Sequence, residues 1–126
     1  MREDVSILVV DDFSTMRRII RKILTGLDIT RITEADNGRK AWEFISRNPV
    51  DLVICDWNMP GMTGMELMKK VRSQEKFARM PFIMVTAEGK EKVAIEKGEE
   101  AYTCYIGKPF KAPDLEDKIK TMLADA

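Results

Sequence analysis

Histidine is absent from all 126 residues. That excludes every mechanism needing an imidazole of this chain: a Ser-His-Asp triad, a His-rich zinc site and a histidine phosphocarrier. Cysteine is almost as scarce. Cys55 and Cys104 lie far apart without CxxC or Cys/His spacing, so both read as small core residues on strands. Net charge is also missing, because Lys plus Arg and Asp plus Glu each number 21. A neutral chain has no bulk attraction for nucleic acid or an anionic membrane. No apolar run is long enough to span a bilayer, and the opening MREDVS has no signal-peptide apolar region, so the expected location is the cytoplasm. What remains, 44% hydrophobic and 33% charged residues, is the composition of one globular domain over 1–126. A domain of this size buries about two thirds of its unfolded surface.

Apolar strands alternate with amphipathic helical stretches along the whole chain. The pattern predicts strands at Val5–Val10, Arg31–Ala35, Leu52–Cys55, Phe82–Val85 and Thr103–Ile106. A first helix is expected from Ser14, as its N-cap, to about Thr25, with Ile19, Ile20, Ile23, Leu24 and Leu27 inward and Gly26 closing it. A second runs from Gly38 to Arg47, burying Ala41, Trp42 and Ile45, and stops at Asn48-Pro49. A third follows Gly64, and a last one starts near Ala112-Pro113 with Leu115, Ile119, Met122 and Leu123 inward. Between them, Gly89–Gly98 has only Val93, Ala94 and Ile95 to bury, which predicts a weakly anchored helix. Strands separated by helices imply right-handed crossovers and a parallel sheet covered on both faces.

Carboxylates mark one edge of that sheet. Asp11 and Asp12 follow the first apolar run and Asp56 ends the third strand, in DWNMPG. Ligands of open α/β sheets bind at the C-terminal ends of strands. Close carboxylate pairs repel by about 4 kcal/mol at intermediate dielectric. A hard divalent cation relieves this, and Mg²⁺ favours a few carboxylates plus a phosphate oxygen. Asp12 taken alone reads equally well as a helix N-cap; the third carboxylate on a separate strand is what points to a metal. Asp56 is the expected nucleophile toward phosphorus, since the loop backbone at Trp57 and Asn58 can surround an incoming phosphoryl.

Lys108, in KPF after the fifth strand, offers an ammonium that can grip a phosphoryl oxygen, and Pro109 can fix its direction through a cis bond. A solvated loop lysine is its plainer reading. Thr86, near the end of the fourth strand, offers a hydroxyl, or is an ordinary strand-end threonine. Met59, Met62, Met65 and Met68 recur at every third position, as Cu(I) ligands or, more simply, as flexible core filler. Arg17, Arg18, Arg21 and Lys22 read as a solvated basic face.

Together the segments VVDDFSTMRRII, EADNG, DWNMPGMTGMEL, VTAE and KPF resemble, in order and spacing, the receiver domains of two-component response regulators, and among them the single-domain chemotaxis regulators. The resemblance covers essentially the whole chain. It implies an α/β, flavodoxin-like five-stranded parallel sheet in the order 2-1-3-4-5, with five helices on both faces. It implies that Asp56 accepts a phosphoryl group from a histidine kinase, and that Asp11, Asp12, Asp56 and the backbone carbonyl of Asn58 gather Mg²⁺. Thr86 and Lys108 would bind the phosphoryl, Tyr105 would change rotamer with Thr86, and Glu88 and Asn58 would tune self-hydrolysis. The partner face would comprise Glu91, Ala94, Tyr102, Tyr105, Gly107 and Lys118. Enteric chemotaxis regulators carry Lys, Ile, Ala and Val at the positions of Glu91, Ala94, Tyr102 and Gly107, so this face departs from theirs. The run from Lys97 to Tyr102 also lacks the small-residue turn usual before the fifth strand.

The expectation is therefore a non-enzymatic switch catalysing only its own phosphorylation and dephosphorylation. Its partners would be a histidine kinase, an output protein such as the flagellar motor switch, and a phosphatase, with no nucleic acid and no membrane insertion. Two rivals stand beside it: a receiver with a non-motor output partner, and a Mg²⁺-dependent phosphatase using an aspartyl-phosphate.

Overall fold

Alternation along five short strands decides which layer each side chain enters. In the computed structural model, which describes residues 4–87 and 102–124, the elements are β1 (Ser6–Val10), α1 (Ser14–Gly26), β2 (Arg31–Ala35), α2 (Gly38–Arg47), β3 (Leu52–Asp56), α3 (Gly64–Arg72), a 3-10 turn (Glu75–Phe77), β4 (Phe82–Ala87), β5 (Thr103–Lys108) and α4 (Ala112–Ala124). The five strands form one parallel sheet in the order β2-β1-β3-β4-β5. This is the flavodoxin-like architecture. The fifth helix expected at Gly89–Gly98 lies outside the described residues.

On one face Ile7, Val9, Leu52, Ile54, Ile83, Val85 and Ile106 pack against Ile20, Ile23 and Leu24 of α1 and Leu115, Ile119 and Met122 of α4. On the other, Leu8, Val10, Val53, Cys55, Phe82, Met84 and Tyr105 meet Ala41 and Ile45 of α2 and Leu67, Met68 and Val71 of α3. A fully buried aliphatic side chain of this kind contributes about 1.5–3 kcal/mol. β1 and β3 lie inside the sheet and carry near-continuous apolar runs, as strands covered on both faces must.

Several local expectations need correction. Ser14 is not the N-cap of α1; Phe13 occupies that position without a side-chain cap, and Ser14 is the first helical residue. The orphan N–H of Phe13 goes instead to Asp11 Oδ1 at 2.9 Å. Ile19 is 45% exposed rather than inward, because it falls beside the stripe set by Ile20, Ile23 and Leu24. Trp42 is half-buried, edge-on to Phe77 and under the Lys70 ammonium. Cys104 is half-buried too, whereas Cys55 is fully buried. β3, β4 and β5 each run one or two residues further than expected. The ladder explains this for the last two: Thr86 pairs with Gly107 and Ala87 with Lys108.

Two local signals aim the chain at the edge where β1 and β3 end. The loop after Asp56 returns through Trp57, whose N–H donates to the Val85 carbonyl (2.9 Å) and whose carbonyl accepts from Gly64 N–H (2.8 Å). A Cβ on Gly64 would meet the Asp56 carbonyl oxygen, so only glycine fits so close an approach. α3 then starts on a capping box: Thr63 accepts from the Glu66 N–H while the Glu66 carboxylate accepts from the Thr63 N–H.

Candidate functional site

β1 ends beside β3, with Val10 opposite Cys55, so the residues that follow each strand emerge next to one another. Asp11 is 1% exposed, Asp56 4%, and Asp12 is half-buried. One carboxylate oxygen from each falls within 4.8 Å of the other two. The three acids read from the sequence are thus brought together by two adjacent strands.

Their hydrogen bonds are incomplete. Asp11 Oδ1 accepts from Phe13 N–H, but Asp11 Oδ2 and Asp12 Oδ1 are buried with no partner among the described residues. Buried carboxylate oxygens are costly unless paired. The strain shows in protonation: burial is the main cause that pushes the Asp11 carboxyl above its ordinary value, and the charges of Asp56 and Asp12 push the same way. The Phe13 N–H and the Lys108 ammonium act against this without reversing it. The neighbouring Cys55 thiol is also pushed up, first by burial and then by Asp56 and Asp11, so it stays protonated and unreactive.

Lys108 brings an ammonium to the cluster. Its Nζ stands 3.1 Å from Asp56 Oδ1 across a separation of 52 residues, made short by the pairing of β3 with β4 and β4 with β5. The Lys108–Pro109 bond is cis. Asn58 is exposed, and its N–H approaches Asp56 Oδ1 at 3.4 Å. Thr86 is buried, and its hydroxyl donates to the Ala87 carbonyl at 3.1 Å. Tyr105 is 5% exposed, its ring 5.9 Å from that of Trp57. It pairs with Met84, so Thr86, two residues further along β4, lies diagonally across from it on the same face.

The expected partner face is described only in part. Tyr102 is 46% exposed and in the left-handed backbone region (φ 60°), and Gly107 and Lys118 are half-buried. Glu88, Glu91 and Ala94 lie outside the described residues. The methionine series resolves as packing. Met59 and Met68 are buried, Met62 and Met65 half-buried, and Met68 Sδ accepts from the Thr103 hydroxyl at 3.5 Å. Nor is the basic face of α1 simply solvated. Arg17 and Arg21 both donate to Glu34 (2.9 and 2.7 Å), and Arg17 Nη1 donates to the Asp11 carbonyl at 2.6 Å. Sequence reasoning missed that contact, because it depends on β2 carrying Glu34 beside α1.

Among the described residues, the donor set suits a small hard cation: carboxylate oxygens, two of them buried without partners, beside the Lys108 ammonium. Among the described residues no helix is long and apolar enough to cross a membrane.

Residues 7–120 match the model of the response regulator receiver domain. The chain is 46% identical over 114 residues to the chemotaxis protein CheY of Pseudomonas aeruginosa, covering 90% of this chain and 92% of that protein. It is 41% identical over 119 residues to the chemotaxis protein CheY-3 of Vibrio cholerae, covering 94% and 92%. Among solved structures it is similar to the chemotaxis response regulator CheY4 of V. cholerae, with a TM-score of 0.83 and 31% identity, covering 94% of this chain and 98% of that one. It is also similar to the receiver domain of the P. aeruginosa sensor histidine kinase PA1611, solved with a magnesium ion coordinated in its active-site cleft (TM-score 0.81, 26% identity, coverage 95% and 98%).

Proposed function

The chain belongs to the response regulator receiver domain family, and on that premise we propose that residues 1–126 form a single phosphoacceptor switch whose Asp56 is phosphorylated in a Mg²⁺-dependent reaction. The observation that carries this reading is the trio itself: three carboxylates converging within 4.8 Å, two of their buried oxygens without a partner among the described residues, with Lys108 on Asp56. Asp11, Asp12, Asp56 and the Asn58 carbonyl would hold the ion. Bound there, Mg²⁺ supplies positive charge that lowers the repulsion between Asp56 and an incoming phosphoryl group.

Asp56 attacks phosphorus as a carboxylate. The P–N bond of a phosphohistidine breaks, its electron pair stays on the donor imidazole nitrogen, and a P–O bond forms to Asp56. The chain has no histidine, so the donor must come from a partner, a histidine kinase. Lys108, already 3.1 Å from Asp56 Oδ1, is placed to hold a phosphoryl oxygen, and burial of Asp56 limits access of competing water. Hydrolysis of the acyl phosphate returns the carboxylate and inorganic phosphate, at a rate tuned by Asn58 and Glu88. No other substrate is turned over. Two residues beyond Asp56, where an aspartyl-phosphate phosphatase would place its general acid, stands Asn58, which has no proton of that kind to give.

The switch runs through Thr86. Its hydroxyl is now given to the Ala87 carbonyl, and turning it to a phosphoryl oxygen opens space diagonally toward Tyr105. A change in Tyr105 then alters the surface that includes Tyr102, Gly107 and Lys118. The chemotaxis names of the similar proteins support flagellar motor control as the output. The bulky, exposed Tyr102 supports a partner surface altered from the enteric form.

Intact-mass spectrometry after incubation with acetyl phosphate and Mg²⁺ tests the chemistry. One labile phosphoryl, lost in Asp56→Asn and in EDTA, is expected. No adduct under any condition would overturn the proposal. Binding of the phosphorylated protein to an enteric-type motor-switch peptide, with and without Glu91→Lys plus Tyr102→Ala, tests the output. Tight binding unchanged by the swaps would defeat the altered-face reading.

A further inference from the structure

Asp11 has almost no conformational freedom left. Its N–H donates to the Ala35 carbonyl of β2 at 3.1 Å, its Oδ1 accepts from Phe13 N–H, and its carbonyl accepts from Arg17 Nη1 at 2.6 Å. Among the described residues only Oδ2, one of the two orphaned oxygens of the acidic cluster, is uncommitted. The Asp11 carbonyl and the Asp12 N–H belong to one rigid peptide unit. Whatever fixes that carbonyl therefore also fixes the pitch at which Asp12 leaves the chain.

Arg17 is built for that task. Its side chain is 17% exposed, and its backbone N–H closes the first turn of α1 on the Phe13 carbonyl. Its guanidinium makes two bonds in different directions, Nη1 to Asp11 and Nε to Glu34 Oε1 at 2.9 Å. Glu34 is itself held by Arg21 at 2.7 Å, and Arg21 donates on to the Ile32 carbonyl at 3.2 Å. The Glu34 carboxylate offsets guanidinium charge that would otherwise stand near a cation site. We propose that Arg17 is a positioning residue of the metal centre. Anchored by Glu34 on β2, it holds the Asp11–Asp12 peptide so that both carboxylates present their free oxygens at a spacing suited to Mg²⁺. This rests on the Mg²⁺ reading above.

A fixed ligand frame matters more to Mg²⁺, which demands near-ideal octahedral geometry, than to Ca²⁺, which accepts variable geometry. Loss of the clamp therefore shifts metal preference as well as affinity. Lysine cannot replace it, because one ammonium does not reproduce a fork that reaches two acceptors in different directions.

The test is titration of Mg²⁺ and Ca²⁺ against Trp57 emission in a Trp42→Phe background, comparing Arg17→Ala, Arg17→Lys and Arg21→Ala. Arg21→Ala removes a Glu34 contact without touching Asp11. In Arg17→Ala the Mg²⁺ affinity should fall about 10-fold, as for other outer-shell groups around metals, with Ca²⁺ affinity falling less. Arg17→Lys should not recover it, and Arg21→Ala should stay within about 2-fold of its parent, the smaller loss expected when the outer-shell contact itself survives. If Arg17→Ala does not fold, Arg17→Met, which keeps the apolar stem, takes its place. Equal losses in the Arg17 and Arg21 variants, or a parallel loss of Mg²⁺ and Ca²⁺, would overturn the positioning role. A parent protein with no Mg²⁺ response would instead defeat the metal reading, and this inference with it.

Discussion

Glu34 on β2 and the acidic cluster at the ends of β1 and β3 have opposite electrostatic fates. Glu34, on β2, is gripped by Arg21 and Arg17, and the hydrogen bond from Arg21 is the main cause that holds its carboxyl below the usual range. Asp11, just beyond β1, is buried beside Asp56 and Asp12, and burial first, then those charges, holds its carboxyl above the usual range. The first region is complete as it stands. Among the described residues the second is left short of positive charge, with two buried oxygens unpartnered and one lysine among three acids. A fold can tolerate such a deficit where a ligand will remove it, which is why perturbed acids at a strand edge point to function more strongly than satisfied ones. Arg17 joins the two regions, taking its anchor from the satisfied side and lending it to the strained one.

The largest effect that separates the regions is the response to metal. Mg²⁺ at about 100-fold excess over its dissociation constant should stabilise the protein by about 2.7 kcal/mol, read from urea melts with and without EDTA. A protein equally stable in both would erase the contrast. Next comes Glu34→Gln. It breaks an ion pair whose partner side chains are 17% and 30% exposed, so solvent screening limits the loss to about 1 kcal/mol. Chemical denaturation at neutral pH measures it, and a stabilised variant would show that the clamp is itself strained.

The pH dependence should carry opposite signs in the two regions. Because the folded Asp11 carboxyl binds its proton more tightly than the unfolded one, its contribution is full below 3.8 and lost as pH climbs through the folded value. Glu34 is the reverse: its contribution is full above 4.5 and lost as pH falls through the folded value. In EDTA, Asp11→Asn should remove the loss on the rising side and Glu34→Gln should flatten the acid limb. Melting midpoints across the acid range distinguish the two, and matching profiles would merge what the structure separates. The smallest effect is optical. Trp57 adjoins Asp56 and lies tilted against Tyr105, whereas Trp42, on α2, packs against Phe77 of the 3-10 turn. Mg²⁺ should change emission in Trp42→Phe and leave it flat in Trp57→Phe.

Much of this was legible in the sequence, for reasons that also explain what was not. Runs such as Ile7 to Val10 and Leu52 to Cys55, short and bounded by polar residues, fit strands covered on both faces, and parallel strands put the acids that follow them at one edge. The 2-1-3-4-5 order came from family resemblance, since alternation alone fixes parallel strands without saying which are neighbours. The approach of Lys108 to Asp56 depends on that order. Features set by tertiary partners stayed hidden. β4 and β5 extend because their ends pair with each other. Ser14 has the chemistry of a cap, but the Asp11 carboxylate already takes the first free N–H. Arg17 read as part of a solvated stripe because nothing in its own helix announces Glu34 or the Asp11 carbonyl. The capping box at Thr63 and Glu66 was missed in the sequence, although its T-x-x-E spacing is a known signature.

The central claim is that the acidic trio is strained until a divalent cation enters it, and Asp12→Asn tests it most directly. Removing one of three crowded charges should stabilise the metal-free protein by about 1 kcal/mol, after screening of a half-buried group. The same change should weaken Mg²⁺ binding, so that the variant becomes the less stable of the two once Mg²⁺ is added. Paired urea melts of wild type and Asp12→Asn, in EDTA and in Mg²⁺, should therefore cross over in rank. A variant less stable than wild type in EDTA would contradict the account.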